Sequence, residues 1–70
     1  MIEYKGFLIE PFETEPGRWR ATISRSDGRK IRVAVPAGDE HPTINTSPET
    51  LSAQAAIDPA KQAIDGGGMS

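Results

Sequence analysis

Apolar and polar residues alternate through most of the first half of the chain. In YKGFLIEPFE (residues 4–13), Phe7 and Ile9 alternate with Leu8 and Glu10. A period of two predicts a first strand. Gly6 predicts a bulge or a close backbone approach, and Pro11, which has no N–H to give a ladder, predicts an edge position. Pro16-Gly17 then suits the central pair of a type II turn. RWRATISR gives the cleanest alternation: Trp19, Ala21 and Ile23 on one side, Arg18, Arg20, Thr22 and Ser24 on the other. Asp27-Gly28 is a strong hairpin signal for a type I′ turn. KIRVAV repeats the alternation, with Ile31, Val33 and Val35 on one face and Pro36 ending the strand.

The pattern changes after a loop at PAGDEHP. TIN (residues 43–45) is a candidate fourth strand with Ile44 inward. A helix start follows, in one of two forms: Ser47 caps with Pro48 at the first helical position, or Thr46 and Glu49 make a capping box. Ala53, Ile57, Ala60 and Ile64 then form one apolar stripe at helical spacing. Its alanines permit close approach to a sheet. Pro59 interrupts this stretch and predicts a helix kinked there or broken at Asp58. Gly66–Gly68 supply a C-terminal stop.

These elements predict an α+β fold: a three-stranded antiparallel meander, with a candidate fourth strand, and one C-terminal helix on one face. Residues 1–65 make a single domain and residues 66–70 a flexible glycine-rich tail. Trp19 is the largest candidate for the core.

Size limits that core. The chain has 70 residues and no cysteine, so neither a disulfide nor a thiolate metal site supports the fold. No apolar run approaches the roughly 18 residues of a membrane span. The opening MIEYKGFLIEP is too acidic and too interrupted for a signal peptide. The expectation is a cytoplasmic protein that does not enter a membrane.

Charge is uneven. The formal net charge is −2, yet Arg18, Arg20, Arg25, Arg29, Lys30 and Arg32 face only Asp27 within residues 18–35. If the second and third predicted strands pair, Arg18, Arg20, Lys30 and Arg32 become neighbours on the face opposite Trp19. Nucleic-acid readers of this kind add exposed aromatics for base stacking, and only Tyr4 and Phe12 are candidates here. Glu10 and Glu13 on the next strand offer cross-strand ion pairs. The favoured reading is therefore a solvated face with paired charge.

Other chemistry is thin. Asp39, Glu40 and His41 offer metal-ligand atoms, but adjacent residues seldom converge on one ion without further ligands, and His41 is the only histidine. His41 with Ser47 or Thr46 is no more than a chance pairing of base and hydroxyl. There is no nucleophile elbow or phosphate-binding glycine loop. No catalytic residue, metal or cofactor is expected.

The order YKGFLIEPFETEPGRWRATISR, TINTSPET and AQAAIDPAKQAID resembles that of small stand-alone bacterial proteins. More distantly, it is similar to the HicB-like antitoxin domain, a meander followed by a helix beginning near a threonine- and acid-bearing turn, here Thr46–Thr50. The wider double-stranded-RNA-binding-like plan also has a first helix and a basic second-helix start. This chain has neither, and it carries Glu49 at the latter place. The resemblance implies a protein-binding module; the small core, two sheet edges left unpaired and the lack of a catalytic constellation give the leading expectation, a non-enzymatic protein-interaction module, self-associating or antitoxin-like, whose partner is a second copy or another protein. The rival expectation is weak binding of RNA or single-stranded nucleic acid through Arg18, Arg20, Lys30 and Arg32.

Overall fold

The computed structural model describes residues 1–33, 39–67 and 69. Val35 and Pro36 of the expected third strand lie outside the described residues, as do Gly38, Gly68 and Ser70. The fold is α+β: a four-stranded antiparallel sheet, a second sheet of two strands and one C-terminal helix.

The first strand begins earlier than the alternation suggests. Lys5 has φ 50° and Gly6 φ 86°, the two left-handed residues that a type I′ hairpin requires. Gly6 therefore serves a turn, not a bulge. It joins β1 (Ile2–Tyr4) to β2 (Phe7–Glu15), with Ile2 opposite Ile9 and Tyr4 opposite Phe7. Pro16-Gly17 turns the chain again, with Gly17 at φ 79°, into β3 (Arg18–Arg25). Here the register slips between Glu13 and Glu15.

Asp27-Gly28 behaves differently from the expected I′ hairpin. Only Gly28 is left-handed, and its N–H donates to the Arg25 carbonyl at 3.2 Å. The Asp27 carboxylate accepts the Arg29 N–H at 3.0 Å. A side chain that binds the backbone two residues on makes its own turn, and the chain leaves without returning along β3. Instead β4 (Ile31–Arg32) pairs with β5 (Glu40–His41) in the separate two-stranded sheet. The place beside β3 goes to β6 (Ile44–Asn45), giving the order β1-β2-β3-β6. Thr46 fixes that choice: its N–H donates to the Ala21 carbonyl at 2.8 Å, and its buried hydroxyl accepts the Ala21 N–H at 2.9 Å.

Neither expected helix start is used. Thr46 is committed to Ala21, and Thr50 exchanges two 2.8 Å backbone hydrogen bonds with Trp19. The chain thus remains tied to the sheet through Thr50. Helix α1 (Ala53–Asp65) is capped by Ser52, whose hydroxyl accepts the Ala55 N–H at 3.1 Å. Pro59 lies inside it without a break at Asp58. The Gly66 N–H donates to the Gln62 carbonyl at 2.9 Å and the Gly67 N–H to the Ile64 carbonyl at 3.3 Å, and Gly67 at φ 73° ends the helix. In the expected loose tail, Met69 pairs with Val33 and packs on the core.

Ala56, Ile57, Ala60 and Ile64 on α1 cover Phe7, Ile9, Ala21 and Ile23 of the sheet, with Ile31 closing the core. Two of the four helix residues are alanines, as the stripe suggested. Trp19 does face inward and touches this cluster, but it is only half-buried. The largest fully buried side chains are Ile9, Ile23 and Ile31. The indole lies at the end of β3 next to the helix start, where there is less structure to cover it.

Candidate functional site

The four cations expected to form one stripe are divided between two places, because β6 and not β4 adjoins β3. Arg18 and Arg20 lie on the uncovered face of the large sheet, opposite Glu15 and Phe12. The same face carries Glu3, Leu8, Glu10, Thr22, Ser24 and Asn45, with the Thr22 hydroxyl 3.0 Å from Asn45 Oδ1. Two cations and three carboxylates give a mixed surface, not a positive one. The expected acid pairing does not form either. Among the described residues, the ion pairs are Lys5–Asp65 at 2.5 Å, Arg25–Asp27 at 2.9 Å and Arg29–Asp27 at 3.9 Å. Glu10 stands opposite Thr22, and Glu13 accepts the Gly17 N–H at 3.0 Å. The Arg20 Nε is buried without a hydrogen-bond partner.

Lys30 and Arg32 join a second group. With Arg25, Arg29, Gly28 and Glu40 they line an open concavity of about 580 Å³ at the β3–β4 turn. Asp27 organises its wall, accepting Arg25 Nε at 3.1 Å and Nη2 at 2.9 Å. The Arg25 guanidinium and the Arg29 N–H hold the Asp27 carboxyl below its ordinary range.

A third place was not legible in the sequence. Ile23, Ile44, Pro48, Pro59, Ala63 and Met69 line a mainly apolar groove of about 450 Å³, with polar atoms from Asn45–Ser47 and Gln62. It runs between the last strand of the sheet and α1. Among the described residues, no strand pairs with the outer side of β6. Four separate segments build the groove, so no local motif marks it. The one sequence signal was Pro59, a residue that does not suit the middle of a helix.

The remaining candidates are placed as follows. Glu40 and His41 are successive residues of β5 and both are exposed. Neighbours on a strand point to opposite faces, so this pair does not converge on one ion. The Thr46 hydroxyl is occupied by Ala21. Among the described residues, no helix is long and apolar enough to cross a membrane.

A polar cluster ties the first hairpin to the end of α1. The Tyr4 hydroxyl donates to Asp65 at 2.8 Å, Lys5 Nζ reaches the same carboxylate, and Lys5 and Lys61 lie 5.4 and 5.2 Å from the Tyr4 ring centre. The hydrogen bonds from Lys5 and Tyr4 lower the Asp65 pKa from 3.8, and the bond to Asp65 raises the Tyr4 and Lys5 values from 10.0 and 10.5. A depressed carboxyl stabilises the fold above its unfolded pKa, and that contribution is lost as pH falls through the folded value. The raised Tyr4 and Lys5 values act below pH 10 and are lost as pH rises through the folded ones. Asp65→Asn is therefore expected to lower the melting temperature modestly at pH 7 and to bring variant and wild type closer below pH 3.8. Melting curves at pH 7 and pH 2.5 check this, and an unchanged gap between the two proteins at both would refute it. The effect is small because the cluster is exposed.

Compared with protein-family models, curated proteins and solved structures, the chain matches none of them.

Proposed function

We propose that this domain is a non-catalytic protein-interaction module that takes an extended segment of a partner into the groove between β6 and α1. The observation that carries this reading is the adjacency of an open strand edge and an apolar groove. An added strand finds backbone partners on such an edge, while its alternate side chains need apolar recesses beside it. Ile44, Pro48, Ala63 and Met69 supply those recesses.

Pro59 supports the same reading. Inside a helix, proline removes one hydrogen bond and crowds the carbonyl four residues earlier, at a cost of about 3 kcal/mol. Departures from local preference tend to sit at functional places, and Pro59 stands in the groove wall. The mixed charge of the uncovered sheet face argues against a polyanion there. The separated positions of Glu40 and His41, and the committed Thr46 hydroxyl, argue against catalysis at the residues singled out for it. An antitoxin-like role is one form of this proposal, with a toxin as the protein bound and the cytoplasm as its place.

Selection from a displayed random peptide library, followed by amide-shift mapping, tests the proposal. Selected peptides are expected to carry apolar residues at alternate positions and to shift the amides of residues 44–47 and 60–63. Ala63→Glu puts a charge into the groove from an exposed position, and is expected to weaken binding at least tenfold with an unchanged melting curve. A dimer seen by light scattering and abolished by Ala63→Glu would identify the bound segment as that of a second copy. Peptides that bind elsewhere, or no selected peptide together with a strict monomer, would overturn the proposal.

A further inference from the structure

The concavity at the β3–β4 turn is separate from the groove, and its chemistry differs. Arg25, Arg29, Lys30 and Arg32 surround it, with Gly28 and Glu40 completing the lining. Among the described residues, no apolar or aromatic side chain lines it. We infer that this end of the molecule binds a run of phosphate groups, as in a nucleic-acid backbone, without reading its bases.

Three observations carry this inference. The first is the supply of cations. Asp27 engages Arg25 and Arg29, whereas Lys30 and Arg32 have no carboxylate within ion-pair distance among the described residues. Glu40 stands opposite Arg32 in the β4–β5 register without forming such a pair. The second is preorganisation. The two hydrogen bonds from Arg25 to Asp27 fix that guanidinium, and the Arg29 N–H to Asp27 fixes the turn that carries the other cations. Guanidinium groups match phosphate oxygens in geometry as well as charge.

The third is what the lining leaves out. A protein partner is normally anchored by an apolar or aromatic residue in a recess, and none of the described lining residues would hold one. Bases read from a single strand stack on aromatic faces, and none is present among the described lining residues. Phosphates need neither.

The negative net charge of the chain does not cancel this end. Glu13, Glu15 and Glu49 lie toward the opposite end of the β2–β3 hairpin, where Thr14 donates to Glu49 at 2.8 Å. The molecule is 34 Å along its greatest axis. Screening acts over about 8 Å at physiological ionic strength, so the two ends act on ligands almost independently.

The test uses the full chain and a fluorescein-labelled twelve-nucleotide oligothymidine, followed by anisotropy and amide-shift mapping at low salt. Shifts are expected at residues 25–32 and 40, with the uncovered sheet face unaffected. About three neutralised phosphates on a single strand give a slope near −2 in a plot of log affinity against log salt. The double variant Lys30→Glu/Arg32→Glu is expected to lose at least tenfold in affinity while melting like the wild type. Arg18→Glu/Arg20→Glu, on the sheet face, is expected to lose little.

Inorganic polyphosphate and poly-glutamate serve as competitors. Displacement by polyphosphate supports phosphate recognition. Binding of polyphosphate without binding of the oligonucleotide would support it too, and would name the inorganic chain as the source. Equal displacement by poly-glutamate, shifts centred on Arg18 and Arg20, or no shift with either phosphate probe at low salt would overturn the inference.

Discussion

Ile23→Ala is expected to cost the domain about 2–5 kcal/mol, a large share of its stability. Ile23 is 1% exposed. It stands opposite Ile9 on one side and Ile44 on the other. Its place is therefore the middle of the sheet, beneath α1. Truncation removes three carbons, worth about 2.4 kcal/mol in transfer at about 0.8 per methylene. The cavity left behind raises the cost into the range of about 2–5 kcal/mol. A domain of this size has about 4–10 kcal/mol in all, at the usual stability per residue. The loss thus takes between a fifth and the whole of it. Urea unfolding followed by circular dichroism measures the effect. Leu51→Ala is the control: Leu51 is 78% exposed, and its loss is expected to stay within about 0.5 kcal/mol. If Ile23→Ala unfolds at the same urea concentration as that control, the core described above is wrong.

The second large effect runs the other way. Pro59→Ala is expected to stabilise the domain by about 2 kcal/mol. Alanine restores an N–H that can reach the Ala55 carbonyl and removes the ring that crowds it, a gain of about 3 kcal/mol. Against this, the unfolded chain regains freedom that proline denied it, worth up to about 1 kcal/mol. For a chain of this length the net gain raises the melting temperature by about 10 °C. The same change trims the wall of the groove, so peptide binding there is expected to weaken as stability rises. Calorimetry and peptide titration of one variant examine both halves. A melting temperature equal to or below that of the wild type would show that Pro59 is held by packing worth more than the lost hydrogen bond.

Expectation and structure agree where a residue's role depends on its near neighbours. The alternation Trp19-Ala21-Ile23 placed those residues inward, and the stripe Ile57-Ala60-Ile64 placed the helix on them. Gly17 took the left-handed backbone its turn required, and so did Gly28, although the hairpin expected at Asp27-Gly28 did not form. Agreement ends where several local choices compete. Ser47, Thr46 and Ser52 are all able to cap a helix. Ser52 does so because Thr46 and Thr50 are already bonded to Ala21 and Trp19 on β3. The Lys5-Gly6 turn is hard to read locally because lysine is an uncommon residue at positive φ. Trp19 is less buried than its size suggests, because size does not tell how much structure lies above a side chain.

The candidate sites divide in the same way. The cationic residues were visible at once, but their grouping was not. Arg18 and Arg20 part from Lys30 and Arg32 because Asp27 ends the hairpin with its own carboxylate and β6 takes the place beside β3. Nothing local announces the groove, since Ile44, Pro48, Pro59, Ala63 and Met69 meet only after the sheet and helix have come together.

The order of residue types along the chain is enough to set the class of fold, the inward side of each main element and the excess of positive charge between Arg18 and Arg32. Periodicity and local turn chemistry act over a few residues, and they suffice for those properties. Which strand lies beside β3, which serine starts the helix and which surfaces become concave are settled by contacts made in the folded chain. These depend on hydrogen bonds and packing between residues more than twenty positions apart, such as Thr46 with Ala21 and Thr50 with Trp19. No short stretch of the chain contains both partners.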